Sequence, residues 1–144
     1  VGYCDQTDVT RRIGSTLLIE LTDDTGAGTV ETTALAECIS DSDGVINGYL
    51  RGRYSVPLST VPDLIKRIST YLTIYYLYDR RASAFGGIPP HIAENYKFAI
   101  DTLKLINNGT VDLGIEPPPA SSTAQIAQTD GPTRGFTATT MMDF

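Results

Sequence analysis

Apolar residues recur at helical spacing in three long stretches of this chain. The first is predicted to be a helix from about Thr32 to Arg53. In it, Leu35, Cys38, Ile39, Ser42, Val45, Ile46, Tyr49 and Leu50 follow a three-and-four spacing that places them on one face. Gly44 and Gly48 interrupt this helix. Each glycine weakens a helix by about 1 kcal/mol relative to alanine. A pair spaced four apart also lets another backbone come close. Arg51 and Arg53 fall in the last turn, where cations complement the helix dipole, and Pro57 blocks continuation. The second helix is predicted to start near Thr60 as N-cap, with Asp63 completing a variant capping box and Pro62 tolerated in the first turn. Leu64, Ile65, Ile68, Leu72, Tyr75 and Tyr76 define its stripe, and Tyr71, Ile74, Leu77 and Tyr78 make it apolar nearly all round. A helix of that kind belongs at the centre of a fold, with its tyrosine hydroxyls partnered or at an edge. The third spans His91 to Asn107, with Pro90 near its start and Ile92, Tyr96, Ala99, Ile100, Leu103 and Ile106 as its stripe. Asn107-Asn108-Gly109 stops it.

Two short helices precede these. Residues 7–13 have Thr7 as N-cap, Asp8 in the first turn and Gly14 just past the end. Ser15-Thr16 caps a second helix over Leu17 to Leu21, and Thr22 to Gly28 is a polar, glycine-containing loop. The predicted class is therefore all-α. A small helical bundle of three long helices plus short N-terminal helices fills 1–113, and an extended C-terminal arm fills 114–144. Pro117-Pro118-Pro119 is a stiff spacer, and Ala120 to Arg134 is too polar and too small-sided to offset its ordering entropy alone. Yet Phe136, Met141, Met142 and Phe144 crowd the tip. Either this arm orders on a partner, as an added strand, or it is a terminus without structure of its own.

Composition narrows the function classes. The chain has 144 residues, 41% of them hydrophobic, which suits one domain with a modest core. No apolar run approaches the ~20 residues that span a bilayer, and Val1-Gly2-Tyr3-Cys4 has no signal-peptide pattern. Cys4 and Cys38 have no clustered histidines and do not form a metal motif; reduced thiols are expected, with a disulfide as the alternative. The net charge of −6 disfavours nonspecific nucleic-acid binding by the molecule as a whole. Its distribution is uneven. Residues 1–48 carry nine acids and two arginines, 49–81 carry six basic residues and two acids, and 82–144 carry six acids and three basic residues. That asymmetry serves intramolecular pairing, or it lets a basic face of one copy meet an acidic face of another.

Catalytic motifs are absent. There is no G-x-G-x-x-G, Walker loop, H-E-x-x-H or G-x-S-x-G. His91 stands alone beside Pro90. Asp23-Asp24 lacks the spacing of a calcium loop, and Asp41 and Asp43 point about 200° apart on a helix, so neither pair forms a cation site. No cofactor or metal is predicted. Arg51, Arg53, Lys66, Arg67, Arg80 and Arg81 make the basic cluster of the chain. Helix-dipole complementarity and subunit contacts account for it as well as phosphate binding does. Thr7 to Gly14 faintly resembles the start of a helix-turn-helix, but the acidic sequence after it makes a poor recognition helix. A monomeric helical module that binds a protein or ligand stays open as the alternative to an assembly protein, with an enzyme or a DNA-binding regulator behind it.

The block Tyr49-Leu50-Arg51-Gly52-Arg53-Tyr54-Ser55-Val56-Pro57-Leu58 has the composition of an interface or a helix–helix corner. With Thr7-Asp8-Val9, Arg12-Ile13-Gly14, Glu20-Leu21-Thr22-Asp23, Ile46-Asn47-Gly48, Val61-Pro62, Tyr76-Leu77-Tyr78, Arg80-Arg81, Tyr96-Lys97 and Arg134-Gly135-Phe136, it resembles the Mu-like head-tail connector (adaptor) family of tailed bacteriophages. The resemblance implies a non-enzymatic ring, usually dodecameric, beneath the portal in the neck of the virion, made in the host cytoplasm. It implies three kinds of protein partner: the portal, neighbouring copies, and a stopper or tail-completion protein. DNA passes through the channel without being read, and no membrane is involved. Tyr49, Arg51, Arg53, Tyr54, Arg80 and Arg81 are the expected subunit or portal contacts. Phe136, Met141, Met142 and Phe144 are the expected docking residues of the arm.

Overall fold

The structure, a computed structural model, describes residues 2–116, and among these it forms five helices and no strand. They are α1 (Gln6–Ile13), α2 (Ser15–Thr22), α3 (Thr32–Leu50), α4 (Asp63–Arg80) and α5 (Pro90–Asn107). The chain is thus an all-α bundle of three long helices with two short ones ahead of them. Phe136, Met141, Met142 and Phe144 lie outside the described residues.

The helix starts differ from expectation because other groups satisfy the orphan amides. Asp5, not Thr7, caps α1: its carboxylate accepts from Asp8 N at 2.9 Å while the Asp8 carboxylate accepts from Asp5 N at 3.1 Å. Gly14, not Ser15 or Thr16, joins α1 to α2, with φ of 85°. That conformation suits glycine, and it lets one residue end one helix and begin the next. α4 begins after Pro62 rather than Thr60, with no side-chain cap. α3 ends at Leu50 instead of Arg53. There the amides of Arg53 and Tyr54 both donate to the Leu50 carbonyl, at 2.9 Å each. This tight turn drops Tyr54 and Leu58 into the core, and burying them outweighs three more residues of helix.

α4 is the hub. Ile65, Ile68, Leu72 and Leu77 are fully buried, and Tyr71, Ile74 and Tyr78 nearly so. Three neighbours share its circumference. α3 meets it through Ser42, which bonds Ser69 and Thr73 at 3.1 Å each. α5 meets it through Tyr96, stacked on Tyr75 at 4.0 Å, and Phe98, edge-on to Tyr71 at 6.2 Å. α1 meets it where Asp8 pairs with Lys66 at 3.6 Å. At 100° per residue the α5 contacts lie about 160° from those of α3 and α1, which are some 40° apart.

The core has two apolar clusters, one around Ile46, Leu50, Ile68 and Leu103, the other around Val9, Leu18, Leu21 and Leu77. A polar seam of fully buried Ser42, Ser69 and Thr73 runs between α3 and α4, joined by the Cys4 thiol at 3.5 Å from Thr73 Oγ1. Every buried side-chain polar atom among the described residues has a partner. Gly44 and Gly48 face outward: a Cβ on either would meet nothing within 4 Å, so the close backbone approach expected there is not made within the chain. Val111, Leu113 and Ile115 continue the packing beyond α5.

Candidate interaction site

The turn after α3 is a tied junction. The Arg53 guanidinium donates to the Ile106 carbonyl at 2.8 Å, closing the C-terminal end of α5. It also lies 5.5 Å from the Tyr54 ring centre. A Cβ on Gly109 would sit 3.6 Å from this guanidinium, and Gly109 has φ of 88°. Tyr54 is buried; its hydroxyl donates to Asp112 Oδ1 at 3.4 Å and accepts from Leu113 N at 3.2 Å. From the other side, the Tyr3 hydroxyl donates to Asn47 Oδ1 at 2.5 Å and accepts from Leu58 N at 3.0 Å. Burial raises the Tyr3 phenol above its ordinary range.

Arg80 and Arg81 form a second tie. Arg80 donates to the Leu21 carbonyl at 2.9 Å and pairs with Asp24 at 2.5 Å. Arg81 donates to the carbonyls of Glu20 at 2.6 Å and Asp23 at 2.9 Å. Both arginines therefore close the C-terminal end of α2. Of the six expected contact residues, Arg53, Tyr54, Arg80 and Arg81 have these internal partners. Arg51 is exposed, and Tyr49 is half-buried beside Val45, Gly48, Tyr96, Ile100 and Asn107 on an open groove of about 540 Å³.

The root of the arm is at the same junction. Ile115 and Glu116 line a cleft of about 270 Å³ with Tyr54, Ser55, Leu58, Ser59 and Thr60. The junction thus joins the end of α3, the end of α5 and the departure point of residues 117–144.

A surface that sequence reasoning missed lies on the far side of α4. Arg11 and Arg12 of α1 and Lys66 and Arg67 of α4 border one depression, with Asp8 and Asp63 as its acidic members. Arg67 Nε donates to the Tyr71 hydroxyl at 3.0 Å, and its guanidinium lies 5.4 Å from the Tyr71 ring and 5.8 Å from Phe98. Arg12 lies 4.7 Å from the Tyr71 ring. Phe98 keeps 46% of its surface exposed, as Leu105 keeps 41% on the same face of α5. The available signal was that both residues fall off the α5 core stripe, so a large apolar side chain had to face outward.

The outer face of α3 has the opposite sign. Thr33, Ala36, Glu37, Ser40, Asp41, Gly44 and Gly48 are exposed along it. The cysteines are both free and buried. Desolvation raises both thiols, Cys38 to about 11. His91 is exposed at the lip of a cleft of about 200 Å³ between Arg12, Tyr71 and Ile92. Among the described residues no three His, Cys, Asp or Glu side chains are grouped to share a metal ion, and no helix is long and apolar enough to cross a membrane.

Residues 3–129 match the family model described as "Bacteriophage Mu, Gp36". The "Mu-like prophage FluMu protein gp36" of Haemophilus influenzae is 29% identical over 89 residues, which is 62% of this chain and 59% of that protein. The chain thus spans about three fifths of that relative's length. "Gene product J" of Escherichia phage Mu is 27% identical over 123 residues, or 85% of this chain and 83% of its own.

Proposed function

This chain belongs to the Bacteriophage Mu, Gp36 family, and we propose that it is a structural head-tail connector, a non-enzymatic adaptor that forms a ring beneath the portal and joins capsid to neck. The observation that carries the proposal is the junction. Arg53 and Tyr54 tie the turn after α3 to the end of α5 and the residues beyond it, Tyr3 ties α3 to the Leu58 turn, and residues 113–116 leave from the same place. The end of α3 that carries Tyr49 and Arg51 is thereby held rigid, and the turn that follows it lines the root of the arm. Portal and stopper or tail-completion protein are the proposed partners of this end and its arm. Net charge of −6 suits a channel wall that DNA passes without being held.

The alternative, a monomeric ligand-binding module, has less support. Among the described residues the cleft beside His91, at about 200 Å³, falls below the ~300 Å³ at which small-molecule sites begin, and the larger depressions are open. The deciding experiment is to locate the chain in images of intact particles. Density for this bundle in a ring directly under the portal is the expected result. Its absence from the neck overturns the proposal.

A further inference from the structure

Like charges are gathered on two surfaces of this bundle, and among the described residues neither gathering is fully neutralised: Lys66 pairs with Asp8, while Arg11, Arg12 and Arg67 form no ion pair. On α3, Glu37 and Asp41 are spaced four apart on the exposed face, a pairing that disfavours a helix. The ion pairs among the described residues are Lys66 with Asp8 and Arg80 and Arg81 with Asp24; none involves Glu37, Asp41, Arg11, Arg12 or Arg67. On the other surface, Arg11, Arg12, Lys66 and Arg67 border one depression, and Arg67 reaches from it to the half-exposed ring of Phe98.

The two surfaces do not overlap. α3 covers the edge of α4 marked by Ser69 and Thr73, and the depression is lined on α4 by Asp63, Lys66, Arg67 and Thr70, centred about 90° from that edge around the helix. Two unlike, separate surfaces on one molecule are what a head-to-tail interface needs, which repeats from copy to copy and closes into a ring where the rotation allows.

We infer that the acidic outer face of α3, at Glu37 and Asp41, docks against the cationic groove formed by Arg11, Arg12, Lys66, Arg67 and Phe98 on a second copy of this chain. The inference rests on the ring proposed above and names its subunit interface. Charge complementarity selects the partner: an acid-bearing helix without bulky side chains faces away from its own bundle, and a depression bordered by arginines opens elsewhere on the same molecule. The exposed glycines of α3 suit the same contact, because they let the α1/α4 edge of the next copy come close. Phe98, flanked by Arg67, supplies the apolar contact that charges alone do not.

Charge reversal on the full-length chain tests this. One variant carries Glu37→Lys and Asp41→Lys, the other Arg12→Glu and Arg67→Glu. All four side chains are on the surface, and an unchanged helical spectrum shows that each variant folds. Sedimentation of the natural chain at low salt is expected to show self-association that rises with concentration and falls with salt. Each variant alone is expected to stay monomeric. Their equimolar mixture is expected to associate again in alternation, since both faces of one are basic and both faces of the other acidic. A natural chain that stays monomeric, variants that associate like it, or a mixture that stays monomeric would overturn the interface. The location of the chain in the particle is read separately, so a neck protein that assembles through other surfaces and a self-associating protein that is not in the neck give different results.

Discussion

Asp23 has a carboxylate that organises the loop after α2. It accepts the amides of Thr25 and Ala27 at 3.1 Å each, Gly26 at 2.8 Å and Gly28 at 2.6 Å. Gly26 and Gly28 hold φ of 77° and 74°, which turns their amides inward. These bonds favour the charged form and hold the carboxyl at about 2, below its ordinary 3.8. A carboxyl lowered by folding contributes stability above its unfolded value, and that contribution is lost as pH falls through about 2. Carbon-detected titration is expected to place the Asp23 midpoint near 2, and Asp23→Ala should speed amide exchange at Gly26 and Gly28. A midpoint at the ordinary value would show that the loop is not held this way. Asp43 behaves in reverse: burial raises its carboxyl despite bonds from Tyr3 N at 3.1 Å and Ser69 Oγ at 3.4 Å, so its charge costs stability at neutral pH. The cysteines give a third check. With Cys38 raised to about 11 and Cys4 buried, Ellman's reagent at pH 8 should find no fast-reacting thiol in the native chain and two after unfolding.

At the scale of elements, the outward glycines of α3 make an opposed pair of predictions. Gly44 and Gly48 sit inside a helix with no positive φ and open space where a Cβ would go. Gly44→Ala and Gly48→Ala should each stabilise the folded chain by about 0.5–1 kcal/mol, read as a higher urea midpoint with unchanged slope. Tyr54→Phe should lower stability by about 1 kcal/mol, because the Leu113 amide loses its acceptor while the ring stays packed. The helices themselves were legible because their apolar stripes are long: α4 reads as central from Leu64 to Tyr78, and α4 is the hub. Their ends were not. Asp5 caps α1 because the N-terminal segment is pinned through Tyr3 and Cys4, contacts that reach 44 and 69 residues along the chain to Asn47 and Thr73. The internal partners of the basic cluster were not legible for the same reason. Arg80 and Arg81 carry a basic composition, but only the fold shows that α2 folds back to offer them its terminal carbonyls. The groove beside Phe98 needed the packing of α1 on α4, which no local pattern encodes.

For the whole molecule, the question is how a bundle this self-contained engages anything else. Its core is closed and its junction arginines are used internally. On the proposed function, assembly would draw on outward faces and on residues 117–144. Those 28 residues could span at most about 90 Å, against a radius of gyration of about 13 Å for a domain of this size. They could thus reach past their own bundle to a neighbour. Their polar middle offers little apolar area to bury, while Phe136, Met141, Met142 and Phe144 offer most of what there is. Anchoring by a few apolar residues after a polar tether makes docking depend on effective concentration, which the proposed ring of copies beside a portal would supply. A chain stopped after Glu116 keeps Val111, Leu113 and Ile115, which pack on the core, so its helical spectrum and urea midpoint should match those of the full chain. In infected cells lacking the natural copy, the same truncated chain should yield filled heads without attached tails. Substituting Phe136 and Phe144 by serine should give a milder form of this defect. Infectious particles at normal yield from the truncated chain would show that the arm is dispensable and that the bundle's own faces suffice for the neck.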